Sequence, residues 1–367
     1  MFNIKYFVLF ALLYPFQSPA RAQPADPKAS RRTTQLYQNL RKLSAQGIMF
    51  GHQDDLAYGI GWKYNPGGSD VKYTTGEYPA VFGWDLGHLE LDSPLNIDSV
   101  PFAQIRKYIR DTYQIGLVNT ISWHLHNPVT GESSWSKLNS FQAFLQGGEK
   151  HAQFLSWLDK LANFLNSLKS GGGKIPVILR LYHEHNGSWF WWGRDHSSPD
   201  EYKQLWRITV DYLQFKGVHH VLYAYSPDKF SSELEYLDRY PGDNYVDILG
   251  FDAYHRNAPS SNLQFIHEAR QMAQTVAQLA EKKQKLAAWT ETGLETIPVA
   301  NWWTEVLLPI VKDIKLSYVL VWRNGRTDHF YAPYPGQQSA LDFKKFYQTD
   351  SVFFEKKTTA RKLYKSK

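Results

Sequence analysis

The sequence predicts a single α/β domain closed into a (β/α)8 TIM barrel. Three observations carry this reading: eight short apolar runs recur along the chain, segments of helical periodicity lie between them, and every run is followed by polar or aromatic residues. The 367 residues suffice for one such barrel, which takes about 250 or more with loop insertions. No Pro-, Ser- or Gly-rich linker or internal repeat divides the interior.

The runs are Ile48-Met49-Phe50, Ala80-Val81-Phe82, Leu117 to Ile121, Ile175 to Leu181, Val221 to Tyr225, Val246 to Phe251, Leu286 to Trp289 and Tyr318 to Trp322. Continuous apolar runs of this length are what parallel strands buried on both faces require. Between the third and fourth, Phe154, Leu158, Leu161, Leu165 and Leu168 form a helical stripe over 151–168, with Gly171-Gly172-Gly173 as its stop. Between the sixth and seventh, Leu263, Ile266, Ala269, Ala273, Val276 and Ala280 repeat at helical steps after a Ser260-Ser261 cap. An open doubly wound sheet is the alternative, but no Gly-rich phosphate fingerprint follows the first run.

Residues 1–22 have the pattern of an export signal: Lys5, the apolar stretch Tyr6 to Tyr14, and Ala20-Arg21-Ala22 as a cleavage site, leaving 23–367 as the mature domain. The apolar stretch is too short for a membrane anchor, so a periplasmic or secreted protein is expected. The absence of cysteine excludes disulfides, thiolate metal sites and a cysteine nucleophile. The formal charge of +6 drops by two once Lys5 and Arg21 leave, and +4 on so long a chain gives no reason to expect nucleic acid or membrane partners. The basic residues at 356–367 read as a solvated terminal helix or tail.

Barrel active sites lie at the C-terminal ends of the strands. There the sequence places Gly51-His52-Gln53, Gly83-Trp84-Asp85, Ser122-Trp123-His124, Tyr182-His183-Glu184, Ser226-Pro227-Asp228, Asp252-Ala253-Tyr254, Thr290-Glu291-Thr292 and Arg323-Asn324. Glu184 and Glu291 close the fourth and seventh runs and so share one rim. A pair of carboxyl groups about 5–5.5 Å apart suits a retaining glycosidase, one protonating the leaving oxygen and the other attacking the anomeric carbon. The 13 Trp, 23 Tyr and 21 Phe exceed what a core needs, and those in polar loops offer flat faces to sugar rings. Trp123, Trp191 and Trp192 fit core packing as well as sugar stacking, and Arg323 and Asn324 fit hydroxyl binding as well as loop anchoring.

The stretch Arg180-Leu181-Tyr182-His183-Glu184-His185-Asn186-Gly187-Ser188-Trp189-Phe190-Trp191-Trp192-Gly193 resembles glycoside hydrolase family 26, the β-mannanase family, as do Thr290-Glu291-Thr292-Gly293, Val321-Trp322-Arg323-Asn324, Phe50-Gly51-His52-Gln53 and Ser122-Trp123-His124. The resemblance implies Glu184 as acid/base, Glu291 as nucleophile, Tyr254 as the residue orienting Glu291, and His124, His183, Trp189 and Trp322 around the cleavage point, with Trp322 beneath the attacked sugar. It implies cleavage of β-1,4-mannan, with β-1,3-xylan and mixed-linkage glucan as alternatives within the family. A β-mannan polysaccharide or oligosaccharide is then the expected partner of a monomer that needs no cofactor or metal. The departure is His185, where the family usually has Met.

Two other readings compete. A metal hydrolase would use His124, His126, His183 and His185 with Asp85 and Asp252, although their spacing matches no helical His-Glu-x-x-His site. A carbohydrate-binding barrel without catalysis would use the aromatic loops and have no need of both glutamates. The rim segments 54–75 and 127–150 are expected to shape the cleft.

Overall fold

A computed structural model describes residues 22–136 and 141–365, so the expected export signal lies outside the described residues except for Ala22. Each apolar run forms a strand. They are β1 (Ile48–Gln53), β2 (Val81–Asp85), β3 (Val118–Ser122), β4 (Val177–Arg180), β5 (Val221–Tyr225), β6 (Ile248–His255), β7 (Leu286–Leu294) and β8 (Tyr318–Val321). All pair in parallel with their sequence neighbours, and β8 pairs back onto β1, closing the (β/α)8 barrel. A short ninth strand, β9 (Val352–Phe353), adds to the start of β1.

Strand side chains alternate between two separate apolar clusters, as a period of two demands. Met49, Val81, Val118, Ile178, Leu222, Ile248, Ala288 and Leu320 fill the barrel interior. Phe50, Phe82, Ile121, Leu179, Tyr223, Phe251, Trp289 and Val319 face the surrounding helices. The helix Arg31–Ser44 seals the lower end of the interior with Leu36, Tyr37, Leu40 and Leu43, joined by Leu363. Asn39 Nδ2 donates to the carbonyls of Leu363 (2.8 Å) and Lys365 (3.0 Å), so the C-terminal segment docks under the barrel while Lys356, Lys362 and Lys365 stay exposed to solvent.

The helix His151–Ser167 buries Phe154, Leu158, Leu161 and Leu165 as the stripe requires. The glycines after it do not cap it. Gly171 and Gly172, both at positive φ, turn a small hairpin between Lys169–Ser170 and Gly173–Lys174, the geometry a two-residue loop needs. The helix Asn262–Lys282 buries Ala269, Ala273, Val276 and Ala280, but Leu263 is 84% exposed and Phe265 takes its inward place. Ser261 makes no capping bond there; its hydroxyl donates instead to the carbonyl of Arg256.

Candidate active site

The interior-facing parity that places Ile178 and Ile248 inside continues upward to Arg180, Asp252 and Tyr254. On β7 the count would bring Thr290 inward and turn Glu291 away. A bulge changes this: the pairing with β6 runs Phe251 to Trp289 and then Asp252 to Glu291, leaving Thr290 as the extra residue. Its hydroxyl is close to the Phe251 carbonyl (2.9 Å) and Asp252 Oδ1 (2.7 Å), pinning the bulge. Glu291 therefore shares the barrel mouth with Asp252 and Glu184, and one carboxylate oxygen from each of the three lies within 4.8 Å of the others.

Arg180 lies beneath this group. Its Nη1 donates to Asp252 Oδ2 at 2.6 Å and its Nη2 to Glu291 Oε2. Tyr254 Oη donates to the other oxygen of Glu291 at 2.6 Å, so the carboxylate is held from two sides and is 6% exposed. Glu184 stands beyond the end of β4 at a left-handed φ of 54°, after Tyr182 at 42°. Such backbone in residues with a side chain costs on the order of 1–3 kcal/mol and concentrates at functional sites. Trp189 Nε1 donates to Glu184 Oε2 at 2.7 Å. That contact depends on Gly187, where a Cβ would meet the Trp189 ring at 2.3 Å. Similarly, a Cβ on Gly293 would meet the Tyr331 ring at 2.4 Å, and Tyr331 packs edge-on to Tyr254.

Burial, followed by the negative charges of Glu291, Asp252 and Asp228, raises the Glu184 carboxyl well above the ordinary range. Glu184 thus keeps its proton where a free glutamate would lose it. Glu291 has two donors fixed on its oxygens, the arrangement a carboxylate nucleophile needs.

His124 Nδ1 is 2.7 Å from Asp85 Oδ2, and its Nε2 is 3.2 Å from His183 Nε2. Burial opposes a charge on His124, but Asp85 outweighs it and raises the imidazole, while His124 with two further hydrogen bonds lowers buried Asp85 to about 2. His183 is lowered by burial and by Arg180, His124 and His185. His124 Nδ1 donates to the Asp85 carboxylate, and one hydrogen bond joins the two Nε2 atoms. His124 was expected to line a subsite; the structure brings it to the site but commits both its nitrogens, so its hydrogen bonds orient His183.

Of the remaining expected residues, Trp189 is 36% exposed beside Glu184, and Trp322 lies across the mouth near His124. Trp123, Trp191 and Trp192 are fully buried core residues. Asn324 anchors loops through Asp70, Ala332 and Tyr331, and Arg323 pairs with Asp98 at 3.0 Å. Arg323 and Asp98 line a rim cavity of about 490 Å³ with Tyr58 and Trp62. Sequence reasoning gave no role to Trp135, which is 48% exposed and stacks on His124 (5.4 Å, 10°), because nothing near it marks it apart from other loop tryptophans.

Of the four histidines in the metal reading, His124 and His183 meet, but each is engaged with the other and not with His126 or His185. His126 pairs with Glu90 at 3.0 Å, and His185 is turned away into an aromatic sandwich. Glu184, Asp252 and Glu291 are the only cluster among the described residues that could hold a cation, but Arg180 already supplies the positive charge between two of them.

His185 lies between the rings of Tyr202 (4.3 Å) and Tyr225 (4.8 Å), and neither of its buried nitrogens has a partner. Burial and nearby Arg239 keep it well below the ordinary histidine range, hence neutral. An unpaired buried polar group costs about 1–3 kcal/mol. His185→Met, of similar size and without polar hydrogens, is therefore expected to raise the urea midpoint at unchanged m-value. A lowered midpoint would show that the imidazole makes a favourable contact.

The family model for glycosyl hydrolase family 26 matches residues 25–293. A mannan endo-1,4-beta-mannosidase of Bifidobacterium adolescentis is 33% identical over 350 residues, covering 88% of this chain and 34% of that protein. One from Bacillus subtilis strain 168 is 32% identical over 203 residues, covering 52% and 55%. The chain thus spans about a third to just over half the length of these two curated relatives. Among solved structures, a GH26 beta-mannanase from Bacteroides ovatus is 48% identical with a TM-score of 0.86, covering 89% of this chain and 95% of that one. The catalytic domain of a Bacillus sp. JAMB-750 GH26 endo-beta-1,4-mannanase is 35% identical with a TM-score of 0.86, covering 93% and 96%.

Proposed function

Because the chain belongs to glycosyl hydrolase family 26, we propose that it hydrolyses β-1,4-mannosidic bonds in mannan-type polysaccharides by double displacement. The observation that carries this is the approach of Glu184 and Glu291 oxygens to within 4.8 Å, with opposite provisions for charge. Glu184 is kept protonated and Glu291 is held as an acceptor, which divides acid from nucleophile.

In the first step Glu291 attacks the anomeric carbon as Glu184 protonates the departing oxygen. The covalent ester consumes the charge on Glu291, and with it part of the field that held the proton on Glu184. Glu184 then accepts a proton from water, which attacks the same carbon and restores the original configuration. In this reading Trp189, whose indole N–H reaches Glu184, covers the leaving sugar and Trp322 supports the sugar under attack. Mannan is favoured over xylan and mixed-linkage glucan because the relatives described above are mannanases. A non-catalytic sugar-binding barrel would have no use for the strained backbone at Glu184 or the bulge that turns Glu291 inward. We further propose an exported monomer.

The test is the anomer formed first from mannopentaose, followed by NMR before mutarotation. The β anomer is expected. Initial release of the α anomer would exclude double displacement, and no release from any mannan would exclude the substrate class.

A further inference from the structure

The loop that lines the rim cavity with Tyr58 and Trp62 has a second side. There Tyr64, Tyr78 and Tyr108 line a separate pocket of about 430 Å³, with Leu56 and Phe82 among its apolar lining and Gln104 on the helix Phe102–Gln114. Two of the rings are tied by their hydroxyls to backbone carbonyls, Tyr64 to Ser99 (2.7 Å) and Tyr78 to Gly67 (3.0 Å). Tyr108 stacks on buried Trp84 (5.5 Å, 13°). The rings are thus fixed before any ligand arrives, and little side-chain freedom remains to be lost on binding.

The pocket chemistry is that of a neutral, hydroxyl-rich ring: flat aromatic walls with amide groups beside them. An ionic ligand is disfavoured because the nearby charges, Lys107 and Asp111, pair with each other at 2.5 Å. Position links the pocket to the barrel mouth, because the rim cavity beside it is lined by Arg323, which directly follows Trp322. Ser99, which holds Tyr64, directly follows Asp98, the partner of Arg323 in the rim cavity. One stretch of loop therefore separates the two.

We infer that this pocket is an accessory site that binds a mannosyl unit of the polymer while another part of the same chain occupies the cleft. The inference rests on the proposed substrate. Its signature is selective: polymer is held at two places, whereas mannotetraose is held only in the cleft.

The experiment compares KM for soluble galactomannan with KM for mannotetraose in wild type, Tyr64→Ala and Gln104→Trp. Tyr64→Ala removes one wall, and Gln104→Trp fills the pocket from the helix with every loop residue unchanged. Loss of one aromatic contact is expected to raise KM for the polymer about threefold to tenfold, with kcat and the KM for mannotetraose unchanged. Gln104→Trp is expected to do the same, which guards against a disturbed loop in Tyr64→Ala. An unchanged polymer KM in both variants, or equal changes on both substrates, overturns the accessory site and leaves the proposed activity standing. A wild type that cleaves neither substrate overturns both.

Discussion

Glu291→Ala is expected to lower kcat on mannan by about 10⁵-fold, in the range seen when a covalent nucleophile is removed while the rest of the site stays intact. The loss should be specific, because Arg180 on β4 and Asp252 and Tyr254 on β6 keep their places. Azide supplied in solution can enter the space the carboxylate leaves and attack from the same side. The product should then be an α-glycosyl azide, one inversion instead of two. The variant has a second signature. Glu291 is the largest charge contribution raising Glu184, after burial, so its removal should move the alkaline limb of kcat/KM to lower pH. Activity within tenfold of wild type, or azide rescue with retained configuration, would assign the nucleophile elsewhere.

The largest effect on stability is expected from Arg180→Met. Arg180 is 3% exposed and bonds to both Asp252 and Glu291, and among the described residues no other cation pairs with either. Removing it leaves two carboxylates facing each other in a buried site. Breaking a buried ion pair from one side costs about 3–5 kcal/mol, and here two acceptors lose one donor together. Urea unfolding should show that loss alongside abolished activity. Arg180→Lys should recover only part of it, because one ammonium cannot reproduce the two-pronged contact. A loss below about 1 kcal/mol for Arg180→Met would mean that the two carboxylates are satisfied without the guanidinium.

The barrel was legible because each strand is apolar on both faces, so that the eight runs stand out as short continuous stretches of apolar residues. Parity along those runs also held more than was read from it. Counting by twos from Ile178 and Ile248 leads to Arg180 and Asp252, and from Val81 to Asp85, so the residues that charge the site were within reach. The same counting fails at Glu291. The bulge at Thr290 is a backbone event with no mark of its own; the strand-end position put Glu291 on the rim, but nothing in the sequence showed how its side chain turns inward. His124 shows another limit. Its motif located it, but only the distances to Asp85 and His183 revealed that its hydrogen bonds are already used. Leu263 and Gly171-Gly172-Gly173 were misjudged for local reasons: helical spacing does not say where the first turn meets the barrel, and a glycine run serves a hairpin turn as well as a helix stop.

The sealed lower end of the barrel bears on how the molecule could be tethered. Both the helix Arg31–Ser44 and the segment through Lys365 gather under the strands, joined by Asn39 and by Tyr364, whose hydroxyl donates to the Leu117 carbonyl at 2.8 Å. A support or partner module grafted at either place would hold the barrel upright with its mouth turned outward. An insoluble fibre could then approach the working face unobstructed.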